Sequence, residues 1–207
     1  MLQNRRLKEE YPQMSKLTDK GRGIRDMFDR IAPRYDLLNR LLSLGIDRRW
    51  RRFAVGQLAV PEDGRVLDIA TGTGDVAQEI GRQTDPGVKI VGSDFTQGML
   101  VLGRGKIAES PYRDRIVLVN APCESMPHPD GIFDGITIAF GIRNVVDRQK
   151  GLHEMARVLK PGGRAVILEF PDRETFKDMM EEAGFVDVKV HDLTGGIAAV
   201  HVGTRAA

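Results

Sequence analysis

The fold is decided by residues 66–75, which read Val66-Leu67-Asp68-Ile69-Ala70-Thr71-Gly72-Thr73-Gly74-Asp75. The first half is a short apolar run typical of a buried strand. The second half is a glycine-rich turn that opens a helix. Such a turn, at the carboxyl end of the first strand of a parallel sheet, is where these folds bind ligands. The alternative is a tight strand-to-helix turn that holds no ligand.

Further along the chain, apolar runs alternate with amphipathic segments. The runs predict strands at 65–70, 88–94, 116–120, 133–140 and 164–170. The segments between them predict helices at 74–83, 97–107 and 147–159. Strands that alternate with helices form right-handed crossovers, so the pattern predicts an α/β fold with a parallel sheet and helices on both faces.

The two ends of the chain depart from this alternation. A helix at 173–183 precedes strands at 186–192 and 197–203, whose short connection makes an antiparallel hairpin and places one reversed strand at or near the sheet edge. At the other end, helical periodicity from Ile24 is broken at Pro33, which predicts two helices meeting near 32–35. A third short helix carries Trp50 and Phe53. We therefore expect an N-terminal helical cap at 1–63, which contributes to the site, and a core at 64–207.

Composition excludes several classes of function. The net charge of +2 argues against a strongly basic nucleic-acid coat and against an acidic tail protein. The single cysteine, Cys123, rules out an internal disulfide or a multi-cysteine metal cage, and it favours a reducing, cytoplasmic setting. The four histidines show no metal-ligand spacing, so no metal is expected. With neither a signal-peptide core nor a membrane-spanning run, we expect any membrane contact to be peripheral.

Charge distinguishes between ligands at the glycine-rich turn. Residues 72–77 formally satisfy the dinucleotide pattern G-x-G-x-x-G/A. Asp68 and Asp75, however, would place two carboxylates beside a pyrophosphate, which is electrostatically unfavourable. They suit a ligand that is cationic at that end, and the sulfonium and ammonium groups of S-adenosylmethionine fit.

Two later positions extend this predicted ligand site. Asp94 ends the second strand, about 20 residues after the glycines, where a carboxylate binds ribose hydroxyls; the alternative is a helix N-cap. Cys123 and Glu124 follow the third strand, where an adenine edge could be held. Cys123 could equally be a small residue that fills space in the core.

The chain resembles the class I S-adenosylmethionine-dependent methyltransferases, and within them the ubiquinone/menaquinone biosynthesis C-methyltransferases. The most specific segments are Tyr35-Asp36-Leu37-Leu38-Asn39 and Phe140-Gly141-Ile142-Arg143-Asn144-Val145. The resemblance implies a Rossmann-like fold with a mostly parallel seven-stranded sheet. It also implies a cofactor site formed by Asp68, Ala70, Thr71, Gly72, Thr73, Gly74, Asp94, Phe95, Pro122, Cys123 and Ala139.

The sequence departs from the family pattern in three places within this set. Ala70 stands where many methyltransferases have the first glycine, Pro122-Cys123 replaces the more usual Asn-Ala, and Ala139 replaces a frequent serine. Backbone contacts to the cofactor survive such changes, but side-chain hydrogen bonds from these positions are lost.

The resemblance also implies the reaction, which is C-methylation of a polyprenyl quinol. Demethylmenaquinol is the first expectation, and 2-methoxy-6-polyprenyl-1,4-benzoquinol is a second acceptor. By motif position, Arg143 holds the developing phenolate, Asn144 orients the ring, and Tyr35 and Asp36 close over the cofactor. A structural salt bridge for Arg143 and a packed core position for Tyr35 remain open. So do a methyltransferase that acts on another small molecule or RNA, and a cofactor-binding protein without quinol activity.

Two further features lie outside this core pattern. The family carries a block of several dozen residues that covers the quinol pocket, whereas here Phe170 runs directly into Pro171. Either the protein lacks this cover, or the lid segment is missing between 170 and 171 of the chain. We favour the second, because loss of the cover would expose an apolar pocket. Arginines at 48, 49, 51 and 52 flank Trp50, which predicts either contact with anionic lipid at the inner face of the membrane or an ordinary solvated helix face. A homodimer is left open.

Overall fold

The computed structural model describes residues 45–170 and 173–207, together with Gly23. The two helices predicted to meet near 32–35 lie outside the described residues, as do Tyr35, Asp36 and Pro171. The third predicted N-terminal helix is present as α1, Ile46–Val55. It carries Trp50 and Phe53, as expected from the sequence.

The remaining helices are α2 (Asp75–Gln83), α3 (Gln97–Ala108), α4 (Arg148–Val158) and α5 (Arg173–Glu182). The strands are β1 (Arg65–Ile69), β2 (Lys89–Asp94), β3 (Ile116–Asn120), β4 (Phe133–Ala139), β5 (Leu159–Glu169), β6 (Phe185–Leu193) and β7 (Ala198–Arg205). Most bounds fall within a residue or two of the predicted ones, because each strand is a short apolar run that ends at a turn.

Within the described residues, seven strands form one sheet in the order β3-β2-β1-β4-β5-β7-β6. The pairs from β3 to β5 are parallel, and β7 runs antiparallel to both β5 and β6. The mostly parallel sheet and its C-terminal hairpin are therefore confirmed. The reversed strand is the second from the edge, because β7 inserts between β5 and β6.

The sheet is packed on both faces. Successive residues of a strand point to opposite sides, so Val66 and Leu67 of β1 belong to different clusters. Leu67 packs in the cluster that contains Leu152 of α4 and Phe176 of α5. Val66 packs on the other side with Ile80 of α2. The helices thus cover both faces, as the strand–helix alternation predicts.

The start of β5 differs from the prediction. In the sequence, Pro161-Gly162-Gly163 predicts a turn before a strand that begins at 164. Instead Leu159 already pairs with Phe133, and the ladder then shifts so that Arg164 pairs with Gly135. The predicted turn is an irregularity inside one long strand. Such a bulge accommodates residues that cannot join a regular ladder, since proline lacks an N–H and Gly162 has φ +78°.

Candidate active site

A cleft opens at the carboxyl ends of β1, β2, β3 and β4. From β1 the chain proceeds to β2 and β3 on one side and later returns to β4 on the other, so β1 and β4 form the topological switch point of the sheet. Ligands of such α/β sheets bind in the crevice at this switch point. Its lining includes Ala70, Gly72, Asp94, Phe95, Met99, Pro122, Cys123, Ala139, Phe140, Gly141, Asn144 and Val145.

The two glycines of the glycine-rich loop have different surroundings. Gly72 has φ +56°, and a Cβ built on it would meet no atom within 4 Å, so its backbone faces open space in the cleft. Gly74 has φ +85°, and its Cβ would lie 2.9 Å from Ile107 Cδ1 of α3. Gly72 therefore allows a ligand to approach the backbone closely, while Gly74 allows the loop to pack on a helix.

Asp94 connects this loop to the next one. Its Oδ2 accepts a hydrogen bond from Gly72 N at 2.9 Å, and its Oδ1 accepts one from Thr96 N at 2.8 Å. The N-cap position of α3 belongs to Thr96. Each carboxylate oxygen has a second lone pair, so Asp94 can accept from a ligand hydroxyl while it holds the loop. This donor and acceptor pattern fits a ribose.

Asp68 is buried beneath the loop, with 1% of its surface exposed, and it does not line the cleft. Its Oδ2 accepts from Thr71 Oγ1 at 2.6 Å, and its Oδ1 accepts from Thr137 Oγ1 at 2.7 Å. Burial raises the pKa of Asp68 from its ordinary value of 3.8 to about 7, although the two hydroxyls oppose the shift. Asp68 orders the loop in this structure, and direct contact with the cofactor stays a prediction.

Asp75, at the start of α2, is held in ion pairs. Its Oδ2 accepts from Arg51 Nη1 of α1 at 2.9 Å, and Lys106 Nζ of α3 contacts its Oδ1. The same lysine donates to Thr73 Oγ1 at 3.2 Å. These cations offset the charge of Asp75, so its carboxylate contributes less against an anionic ligand than the sequence suggested. The preference for a cationic ligand then depends mainly on the other residues of the site.

The side of the cleft beyond β3 is apolar and well anchored. Phe95, Pro122 and Cys123 line it, and Glu124 Oε1 accepts from Val146 N at 2.9 Å, which holds the two loops together. Burial raises the pKa of the Cys123 thiol, so the thiol stays protonated and unreactive. A flat aromatic base fits between such side chains, so the residues present fit the adenosyl group of S-adenosylmethionine.

The β4 side of the cleft contains the cationic candidate. After Ala139 and Phe140 the chain enters a short 3-10 helix, Ile142–Asn144. Asn144 lines the cleft, whereas Arg143 Nη1 donates to Glu169 Oε1 at 2.8 Å. The structural salt bridge that the sequence left open for Arg143 is therefore present. The side chain of Arg143 is still 43% exposed, so the salt bridge does not enclose it.

The predicted site residues thus fall into three groups. Lining the cleft are Ala70, Gly72, Asp94, Phe95, Pro122, Cys123, Ala139 and Asn144. Packed beside or beneath it are Asp68, Thr71, Thr73, Gly74 and Arg143. Outside the described residues are Tyr35 and Asp36. The sequence reasoning missed eight lining residues, which are Ile69, Thr96, Met99, Ala121, Phe140, Gly141, Val145 and Val146. Phe140 and Gly141 adjoin the predicted Ala139 and could have been found from that position.

The arginines around Trp50 separate in the structure. Trp50 is buried, and its Nε1 donates to Thr194 Oγ1 at 2.8 Å. Arg51 is paired with Asp47 and Asp75. Arg48 and Arg49 are exposed on α1. The core position of Trp50 agrees with the alternative of an ordinary helix face, and membrane contact is not shown. Across the residues that the structure describes, no helix combines the length and apolarity needed to cross a membrane.

A ligand cleft at this switch point, with a carboxylate after β2 and a reversed seventh strand, is the architecture of the class I S-adenosylmethionine-dependent methyltransferases. The chain belongs to the ubiE/COQ5 methyltransferase family, whose model matches residues 14–170 and 167–205. It is accordingly a methyltransferase with S-adenosylmethionine as its methyl donor.

Two curated relatives illustrate the similarity. The ubiquinone/menaquinone biosynthesis C-methyltransferase UbiE of Geobacter sulfurreducens is 52% identical, over 93% of this chain and 92% of its own. The protein of the same name from Hahella chejuensis is 37% identical, over 92% of this chain and 94% of its own.

Solved structures share the fold at low identity. The [4+2]-cyclase SpnF superposes with a TM-score of 0.77 at 16% identity, over 88% of this chain and 95% of that one. A methyltransferase from Thermotoga maritima, described as a possible histamine N-methyltransferase, superposes with a TM-score of 0.67 at 22% identity. The superposition covers 88% of this chain and 99% of that one. A cyclase and a methyltransferase on one fold show that the fold alone does not determine the reaction.

The comparison with the Geobacter relative also reveals a difference in length. The alignment spans 235 positions, whereas 93% of this 207-residue chain is about 193 residues, so about 40 positions of the relative have no counterpart here. The two segments matched by the family model meet at residues 167–170. Both observations support the predicted missing block at Phe170, whose placement stays a prediction.

Proposed function

We propose that this protein methylates a ring carbon of a polyprenyl quinol in quinone biosynthesis, with demethylmenaquinol as the preferred acceptor and 2-methoxy-6-polyprenyl-1,4-benzoquinol as a second one. The observation that carries the proposal is the group around Arg143. Its guanidinium carbon lies 5.0 Å from the ring centre of Phe170 and 5.8 Å from that of Phe140, and Phe140 lines the cleft. A cation flanked by aromatic rings suits a flat aromatic ring that acquires negative charge.

The residues on the cofactor side of the cleft position the methyl donor. S-adenosylmethionine supplies an electrophilic methyl group when it is bound. Gly72 offers an open backbone surface, Asp94 would accept from the ribose hydroxyls, and Phe95 and Pro122 would pack against the base. Fixing the donor in this way reduces the entropic cost of aligning it with the acceptor carbon.

The acceptor side must hold the ring and stabilise its oxyanion. Asn144 lines the cleft and can hydrogen-bond a ring oxygen, while Arg143 neutralises the phenolate that makes the ring carbon nucleophilic. Phe140 and Phe170, with ring centres 5.1 Å apart, provide an apolar wall next to that charge. Apolar surroundings strengthen the attraction between the guanidinium and the phenolate.

The test measures methyl transfer from labelled S-adenosylmethionine to short-chain demethylmenaquinol and to the methoxybenzoquinol, with product mass as the readout. Calorimetric binding of S-adenosylhomocysteine is measured beside it. Arg143→Ala should lower turnover about 100-fold or more while it changes cofactor affinity little. The matched control is Arg148→Ala, at an exposed arginine at the start of α4. Binding without turnover in the wild-type protein would indicate a cofactor-binding protein without quinol activity.

We also infer reversible contact with an anionic membrane, by which a polyprenyl acceptor is reached. Arg48 and Arg49 are exposed on α1, and Phe53 is 38% exposed on the same helix. Basic residues beside an exposed aromatic ring favour the headgroup region. Flotation with anionic vesicles should fall for the variant with both Arg48→Gln and Arg49→Gln. Equal flotation with neutral vesicles would contradict the inference. Sedimentation of the protein without vesicles tests whether it forms a homodimer, which the sequence leaves open.

A further inference from the structure

Glu169 is a buried carboxylate at the edge of the acceptor side. It is the last residue of β5, which pairs with β4 up to Ala139, and only 8% of its surface is exposed. Its Oε1 accepts from Arg143 Nη1 and from Phe170 N, each at 2.8 Å. Its Oε2 is enclosed and has no hydrogen-bond partner among the residues that the structure describes.

A buried carboxylate with one oxygen left without a donor is costly, because desolvation of a charge must be offset by hydrogen bonds. Apolar side chains of the same size would pack here without that cost. The bonds to Oε1 account for how Arg143 is held above Phe140 and Phe170. These bonds do not involve Oε2, which has no hydrogen-bond donor among the described residues. The carboxylate therefore retains the capacity to take a proton.

The distance within the ion pair brings this carboxylate near the substrate position. Arg143 Nη1 and Glu169 Oε1 are 2.8 Å apart. A hydroxyl oxygen at hydrogen-bond distance from that nitrogen therefore lies at most about 6 Å from Oε1, a separation that one bridging water can span. Phe140, next to the pair, lines the cleft.

We propose that Glu169 accepts the hydroxyl proton of the methyl acceptor while Arg143 holds the resulting oxyanion. The proposal rests on the proposed function and assigns the base of that reaction. The acceptor O–H bond breaks, the proton forms the neutral carboxylic acid, and the electron pair delocalises onto the ring carbon. That carbon forms its bond to the methyl group as the carbon–sulfur bond breaks and sulfur takes the electron pair. The hydrogen on the methylated carbon then leaves as a proton to solvent, which restores the aromatic ring.

This proton transfer exchanges partners within one charged group. Before it, Arg143 pairs with the carboxylate; after it, Arg143 pairs with the phenolate and Glu169 is neutral. The total charge around the guanidinium is unchanged, so no additional ion has to be buried.

Other titratable groups face the same side of the sheet. Arg143 is in contact with Glu169. Across the sheet, Glu169 pairs with Ala199 of β7, which pairs in turn with Asp192 of β6, and Asp192 is bridged by Arg173 of α5 at 2.6 Å. His201 of β7 is buried, and burial lowers its pKa, so it is neutral near pH 7. Of these groups, Glu169 is the carboxylate that touches Arg143.

The experiment replaces Glu169 with glutamine, which keeps the size and the oxygen that faces Arg143 but cannot take the proton. The control is Glu182→Gln, at an exposed glutamate on α5. We expect Glu169→Gln to lower turnover at least about 100-fold at neutral pH, with binding of S-adenosylhomocysteine unchanged. The loss should shrink as pH rises, and it should shrink for a ring-halogenated quinol whose hydroxyl is more acidic, since both supply the phenolate without a base.

The outcomes separate the two proposals. If the wild-type protein transfers methyl to no quinol, the proposed function is refuted and the role of Glu169 with it. If the wild type is active and Glu169→Gln matches it, the role of Glu169 alone is refuted. An equal loss at every pH and with both acceptors also refutes it, because Glu169 then only positions Arg143. If the glutamine variant fails to bind S-adenosylhomocysteine, Glu169→Asp is tested in its place. The proposal is supported if the turnover of Glu169→Asp depends on the acidity of the acceptor hydroxyl as that of the wild type does. It is overturned if that dependence is lost.

Discussion

Replacing Asp68 with asparagine should change how the stability of this protein depends on pH. Burial raises the pKa of Asp68 from 3.8 to about 7 in the folded state. Below pH 3.8 the group is protonated whether or not the chain is folded, so its burial does not lower the free energy of unfolding through ionisation. Between pH 3.8 and 7 mainly the unfolded chain ionises, so the free energy of unfolding falls as the pH rises. Above pH 7 the loss is complete, and at about 1.4 kcal/mol per pKa unit it amounts to about 4 kcal/mol.

Asparagine keeps the shape and the hydrogen-bonding capacity. Its oxygen can accept from one of Thr71 and Thr137, and its amide can donate to the other, because hydroxyls serve as donors or acceptors. The variant is therefore expected to fold with the loop intact. Between pH 5 and 8 the wild-type protein should lose about 2–3 kcal/mol of unfolding free energy relative to Asp68→Asn.

The assay is urea unfolding at half-unit steps over this range, with the free energy taken from the midpoint and slope. Asp114→Asn, at a side chain that is 89% exposed, serves as the control for loss of a carboxylate in solvent. The relation between burial and stability would be refuted if the curves of the wild type and Asp68→Asn ran parallel from pH 5 to 8. It would also be refuted if the wild type gained unfolding free energy relative to Asp68→Asn as the pH rose.

Three further substitutions test the local geometry, each by urea unfolding. Ala70 has φ +52°, so Ala70→Gly should stabilise the fold by up to about 1 kcal/mol, and a clear loss would contradict strain at this position. Gly74→Ala should cost about 1–3 kcal/mol, because Gly74 has φ +85° and its Cβ would also lie 2.9 Å from Ile107 Cδ1. Ile107→Val should recover only the part of the loss that comes from this contact, and simple additivity of the two substitutions would assign the whole loss to backbone strain. Thr194→Val should cost about 1 kcal/mol by removing the acceptor of Trp50 Nε1, and an unchanged midpoint would show that this bond contributes nothing.

The predicted elements and the predicted site were recovered to different degrees. The strands were found because a buried parallel strand is a continuous apolar run, which can be recognised locally. The start of β5 was misjudged because pairing of Leu159 with Phe133 depends on a partner strand that local sequence does not specify. Positions such as Asp94 and Pro122 were found because carboxyl ends of parallel strands meet at one edge of the sheet.

Side-chain direction was not predictable in the same way. Asp68, Thr73 and Gly74 belong to the loop in sequence, yet they contact Thr137, Lys106 and Ile107 rather than line the cleft. Each of these contacts joins segments that lie far apart in the chain. Motif position identifies which loop approaches the ligand, but packing determines which atoms of that loop reach it.

By itself the sequence determined the alternation of strands and helices, the ligand-binding loop after β1 and the family resemblance, since all three are encoded in short runs of neighbouring residues. Only the tertiary structure decided that Asp75 is neutralised by Arg51 and Lys106, and that Glu169 lies against Arg143. The physical reason is that electrostatic interactions depend on distance in space and on burial. Both are fixed only when strands and helices from remote parts of the chain pack together.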